Sequence, residues 1–345
     1  MKALVKTQKG PGNLELLDVE EPRAVNDLVK IRVVYAGICG TDIHTWEGIY
    51  PGNTPPVTLG HEFSGIVEEV GDAVGRIRAG DRVTAETTYY SCMACDFCKN
   101  EEYNLCASRR GIGTQVNGAF ARAVLVPERS VHRIPEGVSL KSAALSEPLA
   151  CCVHGCMEKT TPHRGSTALV TGPGAIGLLS ALVLLSEGLQ VILAGTSADT
   201  DRLLLARELG VQTVDLQRED LAEVVAKMTN GAGASPVIEC SGSIKALNSG
   251  LSLAAKKADI VQMGVFAREV NEVNVSFFFP RELRLVGSRT QKPSSWRKTM
   301  ELMGNGSIVP EKLVSFVYPL EDWLQGFTDV REKRGIKVLL RAGGE

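Results

Sequence analysis

The rhythm of apolar and polar positions changes once along this chain. Up to about residue 90, short apolar runs are broken by glycines. Residues 28–35 read as one strand, and 57–70 as another that Gly60 and Gly65 interrupt. Turn-rich triplets such as Val70-Gly71-Asp72 and Ala79-Gly80-Asp81 punctuate the run. This is the texture of an all-β region. Near residue 145 the texture becomes one of alternating strands and helices. Thr167–Thr171 is a short apolar strand; a glycine turn follows, then an apolar helix over 175–187 that Gly188 stops. The next strand covers 190–194, and a helix over 201–209 ends at Gly210. The alternation continues through 236–240, 244–255 and 259–265, which predicts βαβ units and a parallel sheet. Helices over 294–303 and 321–330 and a strand over 336–340 close the chain, with no internal repeat and no low-complexity linker.

A length of 345 residues fits two domains with full-sized cores. The net charge of −2 provides no basic field for a nucleic acid. The longest uncharged apolar stretch, 175–185, is too short to cross a bilayer, which takes about 20 residues. The opening Met-Lys-Ala-Leu-Val-Lys has no signal-peptide core. A cytoplasmic protein without membrane or nucleic-acid partners is expected. In that compartment nine cysteines are metal ligands or buried thiols rather than disulfides.

Four of the nine, Cys92, Cys95, Cys98 and Cys106, follow C-x2-C-x2-C-x7-C among polar, loop-like residues, in a lobe of about 90–108. Four thiolates fill a zinc tetrahedron and leave no position for substrate, so this site reads as structural. The rival is an iron–sulfur cluster, whose bacterial run has a shorter last spacing and a following proline, both absent here.

A second constellation is more scattered. Cys39-Gly40-Thr41-Asp42-Ile43-His44 follows a strand, Gly60-His61-Glu62 comes about twenty residues later, and Glu147-Pro148 lies at the change of texture. They supply a thiolate, an imidazole and two carboxylates, enough for three protein ligands and one open position on a catalytic metal.

Gly172-Pro173-Gly174-Ala175-Ile176-Gly177 matches G-x-G-x-x-G between a strand and a helix, the context of a dinucleotide fingerprint. Its glycines serve the tight turn, the approach of the pyrophosphate and close helix–strand packing. NAD enzymes place an acid about 20 residues further on, and here that position is Gly195, followed by Thr196 and Ser197, with Arg202 within reach of a 2′-phosphate. NADP is therefore favoured over NAD, although Asp199 and Asp201 share the loop. Gly195→Asp is expected to shift preference toward NAD.

Together these motifs resemble the zinc-containing medium-chain dehydrogenase/reductase family, which includes alcohol, sorbitol and threonine dehydrogenases. The markers, including Glu147-Pro148-Leu149 and Leu285-Val286-Gly287-Ser288, run in family order across nearly the whole chain. The resemblance implies an α/β Rossmann domain (a doubly wound parallel sheet) over 151–287. It also implies a GroES-like, mainly-β catalytic domain over 1–150 and 288–345. It carries Cys39 and His61 over as catalytic zinc ligands, with Glu62 or, preferred here, Glu147 completing the set. Cys151, Cys152 and Cys156 follow closely, so a nearby cysteine ligand stays open. Asp42 would orient His61, and Thr41 and His44 would relay the proton released on alcohol oxidation. The implied reaction passes a hydride between a secondary alcohol (a polyol, sugar alcohol or amino alcohol) and NAD(P). Alternatives are a simple-alcohol dehydrogenase, a catalytically inactive binding or structural relative, and a zinc-free quinone reductase, whose kind lacks the cysteine lobe. Trp46, Tyr50, Phe120 and Arg289 are candidates to line the substrate pocket. Residues 273–288 resemble the family's subunit-contact region, so a homodimer or homotetramer is expected.

Overall fold

The computed structural model describes residues 1–343. The chain divides into two compact units: Met1–Glu147 with Gln291–Glu345, and Pro148–Thr290. The last two residues of the expected 288–345 segment lie outside the described residues.

The first unit is built around a seven-stranded sheet. Its path runs Val131–Arg133, Arg82–Ala85, Glu62–Val70, Leu28–Gly37, Lys337–Arg341, Val314–Pro319, and Ala123–Pro127 also pairs with Leu28–Gly37. The central strand Leu28–Gly37 buries Val29, Ile31 and Val33 completely, the period-two pattern of a strand with one face on a core. The apolar stretch 57–70 is two strands, Val57–Thr58 and Glu62–Val70. Gly60, at φ +90°, makes the break, while Gly65 stays within the strand. A Cβ at Gly65 would lie 2.2 Å from the Arg32 carbonyl, so glycine there permits close strand pairing rather than a turn. The late strand Lys337–Arg341 pairs antiparallel with Leu28–Gly37, which brings the last stretch of the chain into this sheet.

The second unit holds a six-stranded, all-parallel sheet ordered Gln212–Asp215, Gln190–Gly195, Thr167–Thr171, Val237–Glu239, Asp259–Gln262, Arg284–Gly287. By chain order this is 3-2-1-4-5-6, the doubly wound arrangement, and the order reverses between Thr167–Thr171 and Val237–Glu239. Leu169, Ile192, Val214, Leu247, Leu251 and Ile260 fill its core. The helix Ala175–Ser186 carries no charged side chain because Leu178, Leu179, Ala181, Val183 and Leu184 are all buried. The strand Gln212–Asp215 and the helix Leu221–Thr229 were not legible as elements from the sequence pattern. The strand is four residues long, and the run around it is rich in polar residues.

Candidate metal centres and dinucleotide turn

The four clustered cysteines converge. Cys95 caps the short helix Asp96–Lys99, and left-handed turns at Met93 and Glu101 fold the lobe back on itself. The four sulfurs lie within 4.8 Å of one another. Cys92 Sγ stands 3.9 Å from Cys98 Sγ, near the edge of about 3.8 Å that a tetrahedron with zinc–sulfur bonds of about 2.3 Å requires. The Cys95 N–H donates to Cys92 Sγ at 3.3 Å, and the Cys92 N–H to Cys106 Sγ at 3.4 Å. Backbone N–H groups of Ala94 and Cys95 pull the Cys92 thiol down to about 6, while burial pushes Cys98 up to about 12. The donor set and its spacing fit zinc.

The second cluster forms at one end of the central strand. Cys39 precedes the helix Gly40–Trp46, and Asp42 Oδ2 accepts the Cys39 N–H at 2.9 Å, tying the helix start together. The donor atoms of Cys39, His61 and Glu62 lie within 4.8 Å of one another, and His61 and Glu62 are buried. Glu147, also buried, is not one of that gathered trio; its Oε1 accepts from Gln291 Nε2 at 2.8 Å. Its charge still reaches the site, since it acts on both His61 and Lys337. Asp42 stands 3.8 Å from His61 Nδ1, a charge contact longer than a hydrogen bond.

Burial alone would lower the His61 pKa, but Asp42 and Cys39 outweigh it and hold it well above the ordinary histidine value. Burial is also the largest influence on Asp42, and it keeps that carboxyl above its usual range. His61 Nδ1 is buried without a hydrogen-bond partner. An imidazole nitrogen left over among anionic groups suits a bound cation, so these residues fit a zinc ion. The Cys39 thiol donates to Thr41 Oγ1 at 3.7 Å, and His44 is exposed on the same helix three residues on.

Two partners of this cluster carry no motif. Lys337 is 3 % exposed; it donates to the Ile38 carbonyl at 3.0 Å and forms an ion pair with Glu62. Burial works against its charge, but Glu62 and Cys39 outweigh that and hold its pKa above the ordinary lysine value. Gly37 makes room, since a Cβ there would meet Glu62 Oε2 at 2.4 Å. Gln291 joins Glu147 to Thr87, whose hydroxyl accepts from Arg109 at 2.9 Å. Phe120 is fully buried in the core against Phe327, so it does not line a pocket as the sequence suggested. Trp46 packs on Trp323 and Phe327 with Arg331 over its ring.

In the second unit the glycine turn has the geometry its pattern predicts. Gly172 is at φ +90°, and a Cβ there would meet the Ser241 backbone at 2.8 Å. A Cβ on Gly174 would meet nothing within 4 Å, and one on Gly177 would strike the Gly172 carbonyl at 1.9 Å. The turn is therefore open at its middle glycine and closed at the other two. Pro173 fills the space beside Gly195, where a Cβ would sit 2.7 Å from the proline Cγ. The expectation for Gly195→Asp is corrected accordingly: any side chain there collides with a rigid ring, so the exchange would disturb the turn as well as the charge. Asp199 Oδ2 accepts from Thr196 Oγ1 at 2.9 Å, and Asp199 pairs with Arg202 at 3.4 Å. Ser197 Oγ donates to Asp215 at 2.6 Å. The sequence gave no sign of Glu239, which no motif marks, is fully buried and accepts the Ser241 N–H at 2.7 Å beside the turn.

A doubly wound sheet with this turn, in a chain that also holds a four-cysteine lobe and a thiol–imidazole–carboxylate cluster, defines a zinc-type nucleotide-dependent dehydrogenase. The alcohol dehydrogenase GroES-like domain family matches residues 26–136, and the zinc-binding dehydrogenase family matches residues 175–305. The chain is 42 % identical to a D-arabitol-phosphate dehydrogenase of Enterococcus avium, over 100 % of this chain and 98 % of the relative. It is 43 % identical to a sorbitol dehydrogenase of Halalkalibacterium halodurans, over 99 % of each. A zinc-binding dehydrogenase from Sinorhizobium meliloti, crystallised with NADP, superposes with a TM-score of 0.90 at 34 % identity, covering 99 % of this chain and 98 % of that one. The chain belongs to the zinc-containing medium-chain dehydrogenase family.

Proposed function

We propose that this protein oxidises a secondary hydroxyl of a polyol or sugar alcohol to the ketone, with a nicotinamide dinucleotide as hydride acceptor. The observation that carries the reading is the convergence of Cys39, His61 and Glu62 in a chain whose full-length relatives act on polyols. Cys39, His61 and Glu62 would hold the zinc, which would act as a Lewis acid and make an alcohol hydroxyl easier to deprotonate. Asp42 fixes the helix that carries Thr41 and His44 and holds its charge beside His61. The Thr41 hydroxyl accepts the substrate proton as it passes its own on, and the relay continues through the cofactor ribose to His44, on the same face of the helix and exposed to solvent. Glu147 adds negative charge to the cluster while Gln291 holds its carboxylate in place. Cys92, Cys95, Cys98 and Cys106 hold a second, structural zinc.

The residues 172–177 bind the pyrophosphate, and Gly195, Thr196, Ser197 and Arg202 bind the adenosine ribose. NADP is the favoured cofactor: no carboxylate projects from position 195, and the Sinorhizobium meliloti relative holds NADP. The protein works in the cytoplasm, where its nine cysteines, none of them in a disulfide, stay reduced. Among the described residues no helix is long and apolar enough to cross a membrane. Two copies associate through the edge strand Arg284–Gly287 and the segment before it, where Val270 and Phe279 are 84 % and 95 % exposed. Assaying free and phosphorylated polyols, threonine and simple secondary alcohols with both cofactors, alongside zinc content, tests the reading. It predicts about two zinc ions per chain and polyol oxidation with NADP ahead of NAD. No turnover of any alcohol, or a tenfold preference for NAD, would overturn the corresponding part.

A further inference from the structure

The relatives at 42 % and 43 % identity divide between a phosphorylated and a free polyol in their names, and the motifs of the chain do not choose between them. A small pocket in the first unit bears on the choice. It has a volume of about 230 Å³ and is lined by Lys6, Lys9, Gly10, Gly48, Tyr50, Pro51 and Asn53, with no acidic residue among them. Lys6 forms the floor. It is fully buried, and its ammonium donates to the carbonyls of Gly10 and Gly12 at 2.5 and 2.6 Å. Carbonyls solvate a cation without neutralising it, and no carboxylate forms an ion pair with Lys6 among the described residues. Burial pulls the Lys6 pKa below the ordinary lysine value. Lys9 is exposed at the rim. Asn53 is 6 % exposed, and its amide makes no side-chain hydrogen bond among the described residues. Asn53 lines the pocket without a side-chain partner among the described residues, so its amide is available to donate to an anion that enters beside the two lysines.

The walls are fixed. Gly48 lies so close to Gly10 and Pro11 that a Cβ would sit 2.4 Å from the Pro11 nitrogen, and Gln115 Nε2 holds the Gly52 carbonyl. The pocket also has a defined place along the chain. The N–H groups of Ile49 and Tyr50 donate to the His44 carbonyl, so its far wall continues directly from the helix that Cys39 starts. A seven-residue helix is about 10 Å long, so the pocket follows about one such length along the chain from Cys39.

We propose that Lys6, Lys9, Tyr50 and Asn53 form an oxyanion subsite that takes the terminal phosphate of a phosphorylated polyol. Lys9, the Tyr50 hydroxyl and the Asn53 amide donate to phosphate oxygens, and the Lys6 ammonium below them supplies the balancing charge. This rests on the polyol reading above and names its substrate class.

The test compares kcat/KM for a pentitol 5-phosphate and for the parent pentitol in the zinc-loaded enzyme, and in Lys9→Ala, Asn53→Leu and Lys6→Met. The wild type should favour the phosphate ester at least tenfold, and each variant should reduce that ratio by about tenfold. Inorganic phosphate should compete with the ester, and its binding heat, measured by calorimetry, should vanish in Lys9→Ala. Lys9 is exposed, so that variant keeps the test valid should Lys6→Met misfold. A ratio near one, or a ratio unchanged in Lys9→Ala and Asn53→Leu, overturns the subsite while leaving polyol oxidation standing. An aldonic acid preferred over the phosphate ester also overturns it, assigning the pocket to a carboxylate. If no polyol is oxidised in either form, the functional reading fails; the calorimetry then decides the subsite, and absent phosphate binding overturns it.

Discussion

Replacing Lys337 by methionine isolates what the catalytic cluster demands of its surroundings. Lys337 and Glu62 are 3 % and 1 % exposed, so neither charge has bulk water to fall back on. Methionine keeps the length and nearly the volume, so the cost of a cavity is small. It removes the Nζ donor to the Ile38 carbonyl and the ion pair to Glu62. Removing one partner of a buried pair costs about 3–5 kcal/mol, because the other charge is left without compensation. Spread over a unit of roughly 200 residues, where each kcal/mol shifts the melting point by about 2–4 °C, this predicts a fall of about 6–20 °C. The assay is calorimetric melting of four chelator-treated, zinc-free proteins, in which Lys337 is the cation left beside Glu62: wild type, Lys337→Met, Glu62→Gln and the double variant. The double variant should recover about 1–3 kcal/mol relative to the sum of the singles. Lys337→Met should also change zinc content by elemental analysis, since Glu62 then answers to the metal alone. A melting point within 2 °C of wild type, with additive singles, would refute the argument that Lys337 is the counter-charge of Glu62.

Four further outcomes follow from the same geometry. Cys39→Ser should abolish turnover and halve the zinc content while leaving dinucleotide binding by fluorescence titration intact, whereas Cys95→Ser should reduce solubility or assembly on a sizing column; near-normal rates in Cys39→Ser would remove it from the site. Glu147→Ala should lower turnover or zinc occupancy about tenfold or more, because it leaves the Gln291 amide without its acceptor and weakens the field on His61; full metal and full rate would exclude it. In chelator-treated protein at pH 7, mass spectrometry should find Cys92 alkylated by iodoacetamide well before Cys98. The thiol at about 6 is then largely thiolate and the one at about 12 is not, so equal rates would contradict the asymmetry. Asp199→Asn should raise the NADP to NAD efficiency ratio by removing a carboxylate paired with Arg202, and Arg202→Ala should lower it; ratios unchanged in both variants would show that this loop does not contact the 2′-position.

What could be read from the sequence is what depends on spacing. The four cysteines lie within fifteen residues, and the glycine turn carries its own strand and helix on either side, so local patterning suffices for both. The catalytic cluster is different in kind. Cys39 and His61 were nameable through family resemblance, but the choice between Glu62 and Glu147 depends on which carboxylate the fold turns toward them, and the gathered trio contains Glu62. Lys337 lies 275 residues from Glu62 and reaches it only because the strand Lys337–Arg341 pairs with Leu28–Gly37, with Leu339 opposite Gly37. In the sequence Lys337 is one lysine opening an apolar run, with the look of a surface strand end. Gln291 and Glu239 are equally silent, since a polar side chain acquires a role only when burial removes water as its alternative partner. Gly195 shows the converse. Read for charge, the position looks free to accept an acid; read in space, it is filled by Pro173 of the glycine turn. A charge that bears on cofactor choice is then to be sought further along the loop, and in the proposed function the Asp199–Arg202 pair is where the two variants above test it.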